Sequence, residues 1–232
     1  MQPNARSSDF DSLRRTITQC RRCPRLVKWR EEVAREKVRR FRDEKYWGRP
    51  VPGVGDPEAR LVIVGLAPAA HGANRTGRMF TGDRSGDWLY GALHKHGFSN
   101  SAQSTSADDG LRLKDCYVTA TVRCAPPQNK PLPDESRNCR DYLFEEFGLL
   151  SQARVVVGLG KIAFDSAHKL LSQKLSSDTR RPAFAHGAEI RMSESLVLIG
   201  SYHPSQQNTF TGKLTEKMFD NIFVRVKHYL KH

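Results

Sequence analysis

The sequence predicts an α/β fold of three layers, α/β/α, around a central four-stranded, mostly parallel sheet. Four short apolar runs have the length and composition of buried parallel strands. They cover residues 60–64, 116–122, 154–157 and 196–199. Segments with apolar residues at helical spacing alternate with these runs, which is typical of strand–helix–strand units whose helices cover both faces of a sheet.

Six segments are predicted to be helices. They cover residues 9–17, a charged stretch from Pro24 to about Lys45, and residues 85–96, 134–149, 161–171 and 214–230. Asp134 is the predicted N-cap of the fourth of these helices. The intervening stretches 46–57, 99–110, 126–133 and 172–186 are predicted to be loops because they are rich in Gly, Pro, Ser or charged residues.

The chain is interpreted as one domain spanning residues 1–232. Its 232 residues suffice for one α/β core, and they contain no internal repeat and no domain-sized linker. The N-terminal helical segment, about residues 9–45, is expected to be attached to this domain by side chains from distant parts of the chain.

The charge of the chain favours polyanionic partners. Lys and Arg total 38 against 25 Asp and Glu, which gives a net charge of +13. The alternative is a basic surface that serves solubility alone. Residues 30–45 are dense in both signs and are expected to form an exposed helix with ion pairs, so only part of the basic excess is available to a partner.

The expected location is the cytoplasm, together with the DNA of the cell. The first residues are mostly polar, unlike a signal peptide, and no apolar stretch approaches about 18 residues, so no membrane association is expected.

Four of the five cysteines have the spacing of a metal or cluster site. Cys20 and Cys23 form a C-x2-C pair, and Cys124 and Cys139 lie far along the chain. Four thiolates accept either zinc or a [4Fe–4S] cluster, and ordinary buried thiols are a further alternative. Such a site would attach the N-terminal helix to the loop after the second strand. Cys116 lies within an apolar strand and is predicted to be a core residue.

Polar, Gly/Pro-rich segments follow the first and the last of the predicted strands. Residues 65–72 (GLAPAAHG) follow one, and residues 203–205 (HPS) follow the other. Ligand sites of open α/β sheets lie at the carboxyl ends of the strands. The two segments therefore predict one cleft built from distant parts of the chain.

Several motifs resemble those of the uracil-DNA glycosylase superfamily. They are residues 65–72, residues 78–83 (RMFTGD), residues 124–127 (CAPP) with Asn129, and residues 203–205. The pattern is most similar to family 5, the type-B branch found in bacteria and archaea, and the resemblance runs from about Cys20 to the C-terminus. It implies a DNA-repair enzyme that flips damaged bases out of DNA and hydrolyses the N-glycosidic bond. It also implies a structural [4Fe–4S] cluster rather than zinc.

The resemblance assigns roles to individual residues. Phe80 occupies the position of the ring that stacks on the flipped base, and His203 that of the hydrogen-bond donor to the base. Ser205 and Lys213 are candidate phosphate contacts. Residues 206–212, beginning at Gln206, form a candidate wedge loop that is expected to make polar contacts within the duplex.

Two positions depart from related families. Ala67 replaces the Asp or Asn that positions the attacking water elsewhere, an absence that type-B enzymes share. Asn129 is then the first candidate for this role, with Asn74 and Asp83 as second candidates, although Asp83 could equally cap the following helix. Ala120 replaces an amide that reads uracil in family 4. Together with Gly65 and Ala67 it would form a pocket that also admits deaminated purines such as hypoxanthine or xanthine.

Other interpretations remain open at this point. One is a catalytically inactive or altered DNA-damage-binding protein of the same fold, which Ala67 favours. Another is a nucleotide-binding α/β protein with a structural zinc, although residues 65–72 contain neither a Walker lysine nor a G-x-G-x-x-G turn. If the chain is an enzyme, it is expected to be a monofunctional hydrolase, because the motifs contain no candidate Schiff-base lysine, and it is expected to be a monomer.

Overall fold

Six strands form one mixed sheet in the centre of the structure, a computed structural model that describes residues 5–231. The strands are β1 (Val54–Gly55), β2 (Leu61–Gly65), β3 (Cys116–Ala120), β4 (Val155–Leu159), β5 (Glu189–Arg191) and β6 (Val197–Ser201). Their order across the sheet is β1-β3-β2-β4-β6-β5. The four inner strands pair in parallel, whereas β1 and β5 run antiparallel at the two edges.

The α/β class and the four parallel strands are confirmed, but the predicted count of four strands is too low for the whole sheet. The two edge strands are only two and three residues long. Neither is long enough for an apolar or alternating pattern to stand out from the surrounding loop.

Eight helices surround the sheet in the part of the chain that is described. They are α1 (Ala5–Thr18), α2 (Pro24–Glu36), α3 (Ala73–Thr76), α4 (Arg84–Lys95), α5 (Pro133–Leu149), α6 (Lys161–Leu175), α7 (Gln206–Phe210) and α8 (Glu216–Lys231). Two 3₁₀ turns, at Arg39–Phe41 and Pro127–Asn129, lie between them.

Several helix boundaries differ from those predicted, and two short helices were not predicted. The second helix ends at Glu36 rather than near Lys45, because Lys37 takes a left-handed φ of 56°. Helix α5 is capped by Leu132, whose backbone N–H donates to the Glu135 carboxylate at 2.7 Å, and not by Asp134, which lies in the first turn. Helices α3 and α7 are too short for apolar side chains to recur at helical spacing.

The strands present alternate side chains to two helical layers. On one face Leu61, Ile63 and their neighbours pack against α4 and α8. On the other face Val62 and Val64 pack against α5 and α6. This alternation, with period two along each strand, produces the three layers. The division into domains stays a prediction.

The N-terminal helix is anchored by apolar side chains. Leu13 and Ile17, the pair predicted from their spacing of four, are both buried and pack beside Tyr142 of α5. The ring of Phe10 lies 5.4 Å from that of Tyr117 in β3. Within residues 5–231, none of the helices has the length and apolar character needed to cross a bilayer.

A fully buried ion pair joins the end of β3 to α5. The Arg123 guanidinium donates to Glu146 Oε2 at 2.6 Å, and each side chain is only 1% exposed. Thr119 Oγ1 donates to the same carboxylate at 2.6 Å, and the Tyr117 hydroxyl donates to its other oxygen at 3.3 Å. The network holds the segment that leads to Cys124.

We predict that Glu146→Gln lowers the free energy of unfolding by about 3–5 kcal/mol, because it leaves the Arg123 charge buried without a counter-charge. Glu145→Gln, at the exposed neighbouring position, should change it by less than about 0.5 kcal/mol. Urea unfolding of the two variants makes the comparison. Equal stabilities would show that the pair is not needed.

Candidate active site at the carboxyl edge of the sheet

Loops that follow three of the inner strands enclose one cavity. The chain leaves β2 at Gly65, β3 at Ala120 and β6 at Ser201, and β4 lies between β2 and β6. The strand order changes direction between β2 and β4, which is where open α/β sheets place their ligands. The two segments that the sequence predicted to form one cleft therefore lie at the same edge.

The cavity has a volume of about 520 Å³, within the range of small-molecule sites. Its walls come from the loop after β2, the turn after β3, the start of α4 and the segment after β6. The lining residues are Leu66, Ala67, Ala69, Met79, Phe80, Asp83, Arg84, Ser85, Gln128, Asn129, His203, Ser205, Gln206 and Gln207.

Phe80 is held in a strained conformation by its surroundings. Its φ of 54° lies in the left-handed region, which non-glycine residues rarely adopt. The preceding carbonyl, of Met79, accepts a hydrogen bond from the Tyr90 hydroxyl at 2.9 Å. A Cβ on Gly65 would stand 2.7 Å from the Phe80 ring, and one on Gly86 would collide with its carbonyl oxygen. Strain of this kind persists where the surrounding structure over-determines a functional position.

His203 lies against this ring. The two ring centroids are 5.9 Å apart, with an angle of 28° between the planes. Burial lowers the pKa of His203 to about 4, so its imidazole is neutral at pH 7. The Asn208 side chain donates to the His203 carbonyl at 2.8 Å and fixes its backbone. Among the described residues no hydrogen bond occupies its ring nitrogens, which leaves them available to a ligand in the cavity.

Asn129 and its neighbour Gln128 form an unusual turn in the part of the cavity wall that follows β3. Both have left-handed φ angles, of 57° and 55°. The Asn129 side chain is exposed, and no hydrogen bond within residues 5–231 holds its amide. The turn therefore presents a polar group, in a strained backbone, to the cavity.

Asp83 has two roles in this structure. Its carboxylate accepts from the Gly86 backbone N–H at 3.0 Å and caps α4, the alternative that the sequence left open. It also lines the cavity, and burial raises its pKa. A Cβ on Gly72 would collide with this carboxylate, so the glycine provides the space that the carboxylate occupies.

Four predicted site residues, Gly65 among them, do not line the cavity. Asn74 is fully buried, and its amide donates to the carbonyls of Arg30 at 3.2 Å and Ala70 at 3.4 Å. Ala120 is buried beside Gly65 in the sheet. Lys213 Nζ lies 5.1 Å from the centre of the Tyr202 ring. Ala67, Ser205 and Gln206 do line the cavity, whereas Gly65 contributes through its contact with the Phe80 ring.

A second cavity, of about 760 Å³, adjoins the first and shares Arg84, Asn129 and Gln206 with it. Phe210, at the end of α7, lines it and is 68% exposed. The Arg84 guanidinium lies 4.4 Å from the centre of that ring. Arg84, and Phe210 within residues 206–212, were not predicted from the sequence to be site residues. The contrast between one phenylalanine and its polar neighbours was the available signal.

The four cysteines lie in neighbouring parts of the structure. Cys23, Cys124 and Cys139 belong to one apolar cluster with Leu26 and Val122, and Cys20 lies beside Tyr142. Among residues 5–231, no group of three or more His, Cys, Asp or Glu side chains is arranged to hold a metal ion.

The thiols of Cys124 and Cys139 would be protonated at neutral pH if nothing were bound to them. Burial raises the pKa of Cys124 to about 12 and that of Cys139 to about 11. Cys116 is buried in the core, as predicted.

The pKa of His203 gives a testable prediction. We expect the ring to titrate near pH 4, well below the usual value of about 6.5, because burial disfavours its charged form. As the pH falls, the unfolded chain takes up this proton first, so the contribution to stability is complete above about pH 6.5 and is lost on approach to pH 4. NMR of histidine-labelled protein, with His203→Gln to assign the signal, measures the pKa. Titration near 6.5 would contradict the burial seen here.

Comparison with known proteins agrees with this arrangement. Residues 52–227 match the family model of the Uracil DNA glycosylase superfamily. A Type-5 uracil-DNA glycosylase from Mycobacterium tuberculosis is 55% identical over 212 residues, which cover 91% of this chain and 78% of that protein. One from Thermus thermophilus is 51% identical over 219 residues, covering 94% and 97%. A Type-4 uracil-DNA glycosylase from Archaeoglobus fulgidus is 30% identical over 156 residues, covering 67% and 70%.

The family model spans the strands, the cavity and its wall residues, and the identity to the Type-5 relatives extends over more than nine tenths of the chain. The chain therefore belongs to the uracil-DNA glycosylase superfamily, within its family 5.

Proposed function

We propose that this chain is a base-excision repair enzyme that flips uracil out of DNA and hydrolyses its N-glycosidic bond. The proposed product is an abasic site, and the proposed range includes deaminated purines such as hypoxanthine or xanthine. The observation that carries the proposal is the Phe80–His203 pair in the cavity at the carboxyl edge of the sheet. A monomer acting on DNA in the cytoplasm is part of the same proposal.

Base binding would begin at the Phe80 ring. A base stacked in a duplex is inaccessible, so it must be extruded into a pocket and held there by stacking and polar contacts. The ring is fixed by Gly65 and by its strained backbone, so it offers a stacking surface that does not have to be ordered on binding.

His203 would stabilise the leaving base. Cleavage of the C1′–N bond leaves its electron pair on the base, and a preorganised N–H donor stabilises that charge. A neutral imidazole donates from one ring nitrogen, and those of His203 are unoccupied among the described residues. A neutral donor also avoids placing a proton on a group whose pKa is about 4.

Asn129 would position the attacking water. The water oxygen bonds to C1′ of an oxocarbenium-like sugar, and its proton passes to solvent or to the departing base. Ala67 offers no polar group for this task, and the Asp83 carboxylate already caps α4. The Asn129 amide is exposed in the cavity wall, and no partner among residues 5–231 competes for it.

The proposed broad range of bases rests on the absence of an edge-reading amide at two positions of the pocket. Sites that hydrogen-bond a substrate edge reject analogues strongly, whereas sites without such groups do not. Ala67 lines the cavity as a small apolar residue, and Ala120 lies buried at the neighbouring strand end. An edge-reading amide is missing at both positions.

DNA contacts are proposed around the cavity mouth. Ser205, the N-cap of α7, and Gln206 line the cavity, and exposed Lys213 lies beyond them. The net charge of +13 would supply a binding term that weakens as salt rises. Phe210, under the Arg84 guanidinium, adds an apolar candidate to the polar wedge expected from residues 206–212.

Cys20, Cys23, Cys124 and Cys139 are proposed to hold a [4Fe–4S] cluster, with a structural zinc ion as the alternative. Four cysteines from two distant segments are a donor set that both groups accept. The support is their grouping in adjoining apolar clusters of the structure. When bound, the group would cross-link the N-terminal helices to α5 and to the loop after β3.

Base release from labelled duplexes, each with one uracil or hypoxanthine, tests the proposal. We expect the wild type to release both bases. His203→Ala should reduce the single-turnover rate by about 10²–10³-fold through loss of a charge-stabilising donor. Asn129→Ala should reduce it by at least about 10²-fold through loss of the positioned water.

His94→Ala, an exposed histidine on α4, is the matched control and should retain the wild-type rate. Release of uracil alone would contradict the broad range. Tight binding of uracil-containing duplex with no release would replace the enzyme by a damage-binding protein of the same fold.

Gly65→Ala tests the role of the Phe80 ring. The added methyl would stand 2.7 Å from the ring and displace it, and a displacement near 1 Å costs a positioned reaction about 10²-fold. Gly91→Ala in α4 is the control, because a Cβ there meets nothing within 4 Å. We expect slow base release from the first variant and wild-type release from the second. Equal rates would show that the ring does not position the base.

A further inference from the structure

A buried arginine lies among the four cysteines. Arg30, on α2, is 2% exposed. Its Nη1 donates to Cys124 Sγ at 2.8 Å, and its Nη2 donates to the Cys20 carbonyl at 3.2 Å. Its Nε is buried with no partner among the described residues. One guanidinium therefore connects both of the cysteine-bearing segments.

This cation has one carboxylate within ion-pair distance among the described residues, and that contact is long. The nearest acidic group, Glu31, lies 3.8 Å away, is 42% exposed, and already accepts from Arg21 at 2.5 Å. Arg123, which is equally buried, has Glu146 at 2.6 Å. A buried charge without a counter-charge is strongly destabilising. Glu31 compensates the Arg30 charge only in part at this distance, and thiolates at the cysteine site that Arg30 contacts would supply the rest.

The other three sulfurs also have donors close to them. Asn138 Nδ2 donates to Cys23 Sγ at 3.5 Å. The Arg123 backbone N–H lies close to the Cys139 sulfur, and the Tyr142 side chain packs beside Cys20. The bonds to the Cys124 and Cys23 sulfurs, with further donors close to the other two, fit thiolates, which accept hydrogen bonds as anions, and ligation by a metal cluster maintains that form.

We propose that Arg30 is the charge-compensating residue of the cysteine-bound cluster, where its N–H···S bond to Cys124 raises the reduction potential and slows the loss of iron. This inference rests on the proposed [4Fe–4S] cofactor. Hydrogen bonds to the sulfurs and the net charge around a cluster are among the factors that set its potential. Of the four sulfur donors, Arg30 is the one that brings a positive charge in its donating group.

The backbone of Arg30 is held by a hydrogen bond as well. The Asn74 amide donates to the Arg30 carbonyl, and Asn74 follows directly after the motif loop that begins at Gly65. Asn74, a predicted catalytic candidate, therefore acts in this structure as a positioning residue between α2 and that loop.

The test compares anaerobically purified wild type, Arg30→Gln, Arg30→Lys and the control Arg35→Gln. Iron and sulfide per chain, loss of visible absorbance in the presence of a chelator, and the potential from an EPR-monitored titration are measured. We expect Arg30→Gln to have a more negative potential and to lose iron several-fold faster. Arg35→Gln removes the same charge from an exposed site on the same helix and should match the wild type.

Arg30→Lys keeps the charge without the planar fork and should shift the potential in the same direction by less. It supplies the comparison if Arg30→Gln does not accumulate as folded protein. Iron-loaded Arg30 variants whose potentials and iron loss equal those of the wild type would overturn the inference alone. A wild type that holds no iron would overturn the proposed cofactor, and this inference with it.

Discussion

The parallel pairing of β2 and β6 with β4 is the constraint on which the rest of the site depends. β4 pairs with both strands in register from its first residue, so the carboxyl ends of all three lie at one edge. Residues 138 positions apart, Gly65 and His203, are thereby brought to the same Phe80 ring. Helices on both faces bury the pairing, so the loops that form the site extend from the ends of firmly packed strands.

The site combines this rigid base with strained connections. Phe80, Gln128 and Asn129 all have left-handed backbones, and all three line the cavity. Each is held by neighbouring packing or turn hydrogen bonds, as the Asn129 N–H bond to the Pro126 carbonyl at 3.1 Å illustrates. The functional side chains therefore occupy positions that local sequence preference alone would not select.

The sequence predicted secondary structure best for the strands that are buried on both faces. The four inner strands were found because runs such as residues 61–64 are apolar throughout, as strands covered on both faces must be. The edge strands and α7 were missed because two to five residues carry no usable period. Among the site residues, Asn74 is the instructive case, since its type and spacing suited catalysis but its amide bonds to backbone carbonyls inside the fold. Whether an amide points into a cavity is decided by tertiary packing, which one sequence does not encode locally.

Three glycines around the cavity have no room for a side chain, because a neighbouring residue occupies the space at each position. A side chain at Gly65 or Gly86 would enter the space of Phe80, and one at Gly72 would enter that of Asp83. The glycines come from a strand, a helix and a loop, yet the ring and backbone carbonyl of Phe80 and the carboxylate of Asp83 restrict all of them. In evolutionary terms, drift at Gly65 is blocked until Phe80 changes and drift at Gly72 until Asp83 changes, whereas the backbone obstacle at Gly86 remains whatever side chain follows Met79. The cavity can therefore diversify through its polar rim far more readily than through its base.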